Sequence, residues 1–199
     1  MLKLEKITKS FKNEKVLQAL DFEAFENELI HIKGSNGCGK STLFKIITGV
    51  LSEDSGNIYI TENTKIGALI ENPGFIENES LKYNLKFLLS LTHNKNEEKM
   101  EEYCMRLGLD TQSKKSIKKY SLGMRQKAGI VQAIMENQNL ILLDEPTRGL
   151  DDNSVCEFNK IIKELQAENK TIIIASHEEH TGLDFTKQYI MKNGKVILQ

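Results

Sequence analysis

The stretch "GSNGCGKST", residues 34–42, sits between the apolar run "ELIHIK" and the helix-patterned "TLFKIITG", where Gly49 is placed to end the helix. It fits G-x-x-x-x-G-K-[ST] at Gly34, Gly39, Lys40 and Ser41. Glycines at this spacing let the backbone curl until its N–H groups point inward at phosphate oxygens. The helix that follows adds the positive end of its dipole. Lys40 offers a point charge to terminal phosphates, and Ser41 an oxygen to Mg²⁺, a hard ion that takes oxygen ligands. A strand before the loop and a helix after it separate this from a chance glycine-rich turn. The cradle therefore comprises Gly34, Ser35, Asn36, Gly37, Cys38, Gly39, Lys40, Ser41 and Thr42. Cys38 lies at a helix N-terminus, which lowers thiol pKa, but a tight loop also favours a small residue there, and the second reading is preferred.

A matching feature lies about a hundred residues downstream. In "ILLDEPTRGLD", residues 141–151, an apolar strand runs straight into two adjacent acids, Asp144 and Glu145. Neighbouring carboxylates repel, so the pair needs a cation or a chemical task. In phosphate-loop enzymes an acid at the end of a buried strand completes the Mg²⁺ shell, and Asp144 is placed for it. Glu145 is then free to orient and polarise a water near the γ-phosphate. The competing reading is an acid pair that merely caps the next helix.

The rest of the chain supplies the frame. Short strands are read in "LKLEKI", "VLQALDFEAF", "NIYI" and "IGALI", and helices in "SLKYNLKFLLSL" and "EEKMEEYCMRLGL". The second helix places Met100, Tyr103, Cys104 and Leu107 on one face. A further helix starts near Ser121, another carries Val155, Phe158, Ile161, Ile162 and Leu165, and "TIIIA" is a strand. The tail "YIMKNGKVIL" is a hairpin turning at Asn193-Gly194. Apolar strands alternating with helices imply an α/β fold with a largely parallel sheet covered on both faces, and a helical insert over 72–120.

Composition narrows the function. The 199 residues carry 27 basic and 28 acidic side chains, net −1, so no global field steers nucleic acid or an anionic membrane. Three scattered cysteines, Cys38, Cys104 and Cys156, form neither a disulfide framework nor a zinc pattern and fit a reducing cytosol. The N-terminus has no signal-peptide core and no apolar run approaches a membrane span, so any membrane role must come through a partner.

With the cradle and acid pair in place, further residues resemble one family, the nucleotide-binding subunits of ABC transporters, along essentially the whole chain. "YSLGMRQK", residues 120–127, resembles the family signature; "RGLD" resembles the loop after the catalytic acid, ending at Asp151; "IIIASH" ends in the switch histidine, His177. Phe11 sits where the family stacks an aromatic on adenine. The resemblance implies a RecA-like phosphate-loop NTPase core (1–71 and 121–199) that includes an N-terminal antiparallel β subdomain, with an α-helical subdomain inserted at 72–120. It implies ATP and Mg²⁺ as ligands, hydrolysis assisted by His177, and a homodimer or a heterodimer with a related subunit. In that dimer Ser121 and Gly123, at a helix N-terminus suited to anions, close on the γ-phosphate held by the other copy. It also implies a separate membrane permease, received by "NPGFIENESLKYNL" with Phe75 and Ile76 as candidate contacts. The protein would then be cytoplasmic, peripheral on the inner face of the cell membrane.

Two departures from the family pattern stand out. Glu71 occupies the place of a glutamine that touches Mg²⁺, and Leu122 and Met124 replace a glycine and a glutamine in the signature. Glu71 followed by "NPGF", together with the signature, is similar to the subgroup of bacitracin-resistance and lantibiotic-immunity transporters. His180 makes no metal pair with His177, since "SHEEH" offers no further ligand, and His31 and His93 carry no role. The alternative is a soluble ABC-type ATPase acting on ribosomes or DNA, which usually has paired domains, coiled coils or a basic surface. A GTPase would show an N-K-x-D-type motif, absent here, and a phosphate-loop kinase would not need the signature.

Overall fold

Three segments rich in isoleucine and leucine are buried along almost their whole length: β3 (Leu29–Lys33), β6 (Leu140–Asp144) and β7 (Thr171–Ser176). A run with no polar alternation requires cover on both faces, the condition of a central parallel strand. In the computed structural model, which describes residues 1–12, 14–92, 96–179 and 181–199, these three are the middle of a six-stranded sheet. With β5 (Ile66–Leu69), β8 (Lys187–Lys192) and β9 (Lys195–Leu198), its order is β5-β6-β7-β3-β8-β9. All neighbours are parallel except β9, which turns back antiparallel on β8. That hairpin turns at Asn193 (φ 51°) and Gly194 (φ 69°), the two positive φ angles its tight turn demands. His93 and His180 lie outside the described residues.

The pleat sorts the sheet's side chains into two cores. Ile141, Leu143, Ile172 and Ile174 face α2 (Leu81–Leu91), α3 (Glu97–Arg106), α4 (Leu122–Ile134) and α5 (Asp152–Ala167). Leu140, Leu142, Ile173 and Ala175 face α1 (Lys40–Ile47) and a second sheet. The apolar stripes read from spacing are the buried ones: Met100, Tyr103, Cys104 and Leu107 in and after α3, and Phe158, Ile161, Ile162 and Leu165 in α5, with Val155 only partly covered. Phe75 is buried in the first core, whereas Ile76 stays exposed.

The second sheet is antiparallel, β2-β1-β4, built from β1 (Leu2–Phe11), β2 (Glu14–Ala24) and β4 (Ser55–Ile60). The strand expected over residues 2–7 continues to Phe11. Shifts of register along β1, with Lys6 at φ 51°, absorb the breaks in its polar–apolar alternation. The extension carries Phe11 to the edge of the cleft described below.

One helix is seated closer to the sheet than ordinary side chains allow. A Cβ on Gly67 of β5 would lie 1.9 Å from the Ala133 carbonyl oxygen of α4, and one on Gly129 of α4 would lie 2.6 Å from Leu69 Cδ1. This pair of glycines brings α4 down onto β5 and so fixes the position of the helix that begins after Ser121. The carboxyl ends of β3, β5, β6 and β7 share one edge of the sheet, the edge at which open parallel sheets gather their ligands.

Candidate functional site

At that edge lies a cleft of about 670 Å³, lined from the cradle by Asn36, Gly37, Gly39, Lys40, Ser41 and Thr42, and from the strand ends by Glu71, Asp144 and Glu145. The cradle follows β3 without a break, and Gly34 N–H donates to the Ser176 carbonyl at 3.0 Å. Gly39, the N-cap of α1, has φ 112°, a conformation L side chains rarely adopt. Gly34 has no room for more than hydrogen: a Cβ would lie 2.6 Å from Cys38 Sγ and 2.8 Å from the Met191 carbonyl oxygen. Burial pushes the Cys38 thiol up, against the pull of Lys40, so the residue is held neutral. Its size, not its reactivity, suits the loop.

Lys40 is buried, and its Nζ donates to the carbonyls of Gly34 (2.6 Å) and Ser35 (3.2 Å). Ser41 Oγ donates to Asp144 Oδ2 at 2.5 Å, joining residues 103 positions apart in the chain. Asp144 Oδ1 is buried and finds no hydrogen-bond partner among the described residues. Burial raises the Asp144 carboxyl pKa; Glu145 and Glu71 add to the rise, while Ser41 and Lys40 oppose it. A buried carboxylate oxygen left over beside a serine hydroxyl matches a hard divalent cation. Among the described residues no cluster of three or more His, Cys, Asp or Glu side chains is arranged to hold a metal ion. The donor set therefore fits Mg²⁺, which keeps waters and takes substrate phosphates to fill its shell, rather than an all-protein cage.

Glu145 follows directly, at φ 49°. Its N–H donates to the Ala175 carbonyl at 2.8 Å, its Oε2 lies 2.8 Å from His177 Nδ1, and its Oε1 accepts no hydrogen bond from the described residues but lies 3.5 Å from Lys40 Nζ. The structure thus brings together Lys40, Ser41, Asp144, Glu145 and His177 from three strand ends. Glu71 stands on the same cleft, but its Oε1 is paired with Lys45 Nζ of α1 at 2.7 Å. Phe11 is half exposed at the cleft's edge, near Glu14 and Val16, with Lys9 Nζ 5.8 Å from its ring centroid.

Ser121, Gly123, Asp151 and His177 are not among the described residues that line the cleft, whereas Leu122, between Ser121 and Gly123, is. Ser121 caps α4, accepting from the Met124 N–H at 3.3 Å. A Cβ on Gly123 would lie 2.4 Å from the Gly149 carbonyl oxygen, so this glycine has a packing reason within its own chain. Asp151 caps α5, accepting from Ser154 N–H and Oγ at 2.9 Å. With Lys127 at 3.3 Å as well, its carboxyl is held down at about 2. His31 touches Ser176 Oγ at 2.8 Å and stacks on Phe185, a packing role. Asn72, Gln126 and Arg148, which lie within the quoted motifs but have no role of their own in the sequence, also line the cleft. Gln126 is buried, and its Nε2 donates to the Glu145 carbonyl at 2.9 Å. No spacing rule links positions 126 and 145, so no sequence signal pointed to that bond.

Comparison with known proteins agrees with this geometry. The ABC transporter family profile matches residues 17–148. The uncharacterized ABC transporter ATP-binding protein YdbJ of Bacillus subtilis is 36% identical over 188 residues, covering 89% of this chain and 61% of its own. The chain therefore spans about three fifths of that relative's length. The lantibiotic transport ATP-binding protein SrtF of Streptococcus pyogenes is 33% identical over 210 residues, covering 100% of this chain and 90% of its own. In fold, the dimeric structure of MJ0796, a bacterial ABC transporter cassette, superposes with a TM-score of 0.88 at 24% identity, covering 98% of this chain and 96% of that one. A phosphate-loop cleft at the carboxyl edge of a parallel sheet and the matched profile lead to one assignment: this chain belongs to the ABC transporter family of ATP-binding proteins.

Proposed function

We propose that the chain binds and hydrolyses ATP with Mg²⁺ as the nucleotide-binding subunit of a transporter. The observation that carries this reading is the convergence of Lys40, the Ser41–Asp144 pair and Glu145 on one cleft, with His177 behind it on the Glu145 carboxylate. The amides of residues 34–42 and Lys40 hold the phosphates, and Phe11 offers a ring face to the base. Ser41 Oγ and Asp144 hold the metal, with Glu71 within reach of its shell once released from Lys45. When bound, Mg²⁺ neutralises charge across the β- and γ-phosphates. Glu145 orients the attacking water and draws on its proton, and His177 fixes the Glu145 carboxylate through the 2.8 Å contact. Lys40, 3.5 Å from Glu145, moves its charge from the cradle carbonyls to phosphate as the substrate enters.

Ser121 and Gly123 are proposed to close on the γ-phosphate of a second copy or a related subunit, and Asp151 to sit beside that junction. What supports this is that Ser121 and Gly123 themselves stay off the lining of the chain's own cleft, although Leu122 between them reaches it. No helix among the described residues is long and apolar enough to cross a membrane. Attachment to the inner face of the cell membrane is accordingly assigned to a permease docked on residues 72–120, with exposed Ile76 rather than buried Phe75 as a contact. The likeness to SrtF supports membrane-active peptides as the cargo class. The test is Mg²⁺-dependent ATP turnover over a dilution series. Turnover per molecule should fall as dimers separate. A rate that stays constant on dilution would overturn the shared site, and no turnover by any preparation, with or without the permease, would overturn the enzyme.

A further inference from the structure

The carboxylate of Glu145 is held by His177, yet its backbone is in the left-handed region, where a bulky side chain is disfavoured. A residue in that state persists only when its surroundings hold it there. On one side β7 does so, through the Glu145 N–H to the Ala175 carbonyl. On the other side the Glu145 carbonyl accepts from the Arg148 N–H of its own turn at 3.1 Å and from one described side chain, Gln126 on the second turn of α4, whose Nε2 lies at 2.9 Å. Gln126 is buried, so this bond is not exchanged freely with water.

We propose that Gln126 is a positioning residue for Glu145: its amide pins the backbone of the catalytic carboxylate to α4, the helix that Ser121 caps. The bond is not isolated. The same end of α4 meets the segment after Glu145 at two further places, Gly123 against the Gly149 carbonyl and Lys127 Nζ on Asp151 Oδ2 at 3.3 Å. The start of α4 and residues 145–151 are therefore one mechanical unit. A load on the Ser121 end of the helix is transmitted to the carboxylate through Gln126 as well as through the loop. The proposal rests on the role given to Glu145 above.

The test uses Gln126→Met and Gln126→Leu in the full chain, which keep a side chain of similar volume but replace the amide with apolar atoms and so remove the donor. Two readouts are taken. The first is hydrolysis: kcat should fall at least about tenfold, the scale expected for a misplaced catalytic group, while ATP affinity stays within about twofold. In a Glu145→Ala background the same substitutions should change the residual rate by less than about twofold, because their effect passes through Glu145. The second is hydrogen exchange followed by mass spectrometry, which needs no turnover. Peptides spanning 145–151 should exchange at least about threefold faster, while those spanning β3 stay unchanged. Unchanged exchange at 145–151 in either folded variant overturns the positioning role, as does an equal loss of rate with and without Glu145. Faster exchange in a chain whose unsubstituted form hydrolyses no ATP would instead keep the tether and overturn the proposed function.

Discussion

Strands β5 and β6 run side by side, and each is followed by a glutamate in the left-handed region, Glu71 at φ 54° and Glu145 at φ 49°. Such a conformation costs about 1–3 kcal/mol at each position, so backbone strain alone does not tell the two apart. Their surroundings do. The Glu145 side chain is 20% exposed, between His177 and Lys40, with one oxygen lacking a hydrogen bond among the described residues. The Glu71 side chain is 56% exposed and paired with Lys45. In a partly dehydrated site a fixed carboxylate acts strongly on a neighbouring water, whereas an exposed ion pair is screened. Burial and partners, rather than a strained turn, single out Glu145 for the catalytic role proposed for it.

The largest effect expected from this contrast is at Glu145. Glu145→Gln keeps the shape and removes the charge, so hydrolysis should drop about 1,000-fold while ATP is still bound. Light scattering with ATP and Mg²⁺ should then show a long-lived dimer. A variant that turns over within about tenfold of the unsubstituted chain would erase the distinction from Glu71. Lys40→Ala should come next, weakening ATP binding by about 30-fold, the loss of a charge-assisted contact; an unchanged titration would remove Lys40 from the phosphate site.

Asp144→Asn probes the buried acid between these two. The Asp144 carboxyl has a raised pKa because it is buried, so the folded state holds the proton more tightly than the unfolded chain does. The stability this confers is complete below the ordinary carboxylate value and is lost as pH rises through the raised one. At neutral pH without Mg²⁺ the ionised group is a burden, and Asn should raise Tm by about 2–4 °C, on the order of 1 kcal/mol. Thermal melts at pH 7 and pH 4 should show that gain shrinking on acidification. The smallest effect is expected at Glu71. Glu71→Gln should change stability by about 0.5 kcal/mol or less and leave turnover within about threefold, while shifting the Mg²⁺ concentration that half-saturates the rate. Superimposable Mg²⁺ curves would place Glu71 outside the metal's shell.

Much of this site was legible before any fold was known, and the reason differs by residue. Gly34, Gly39, Lys40 and Ser41 announce themselves because their task is local: nine consecutive residues set the conformation and supply the donors. Asp144 and Glu145 are legible because two acids ending an apolar strand conflict with burial unless a cation answers them. The stripes of α3 and α5 follow from helical period, and the Asn193-Gly194 turn from the two positive φ angles it needs. Phe75 was harder to read. An aromatic in a turn-rich segment suits a core and a docking surface equally, and only its burial decides for the core. The partnership of Glu71 with Lys45 was not legible either, since a charged pair 26 residues apart leaves no pattern.

The amino-acid order by itself determined the phosphate cradle, the acids that end β6, the periods of the helices and strands, and hence the class of fold, because each depends on residues a few positions apart. The tertiary structure alone decided which of these meet. It joined Ser41 to Asp144 across 103 positions and set Glu145 against His177. It lowered α4 onto β5 through Gly67 and Gly129, and so brought the Gln126 amide to the Glu145 carbonyl. Such contacts depend on strand order and on how closely a helix packs, and both are settled by burial of the whole chain rather than by any neighbour in sequence.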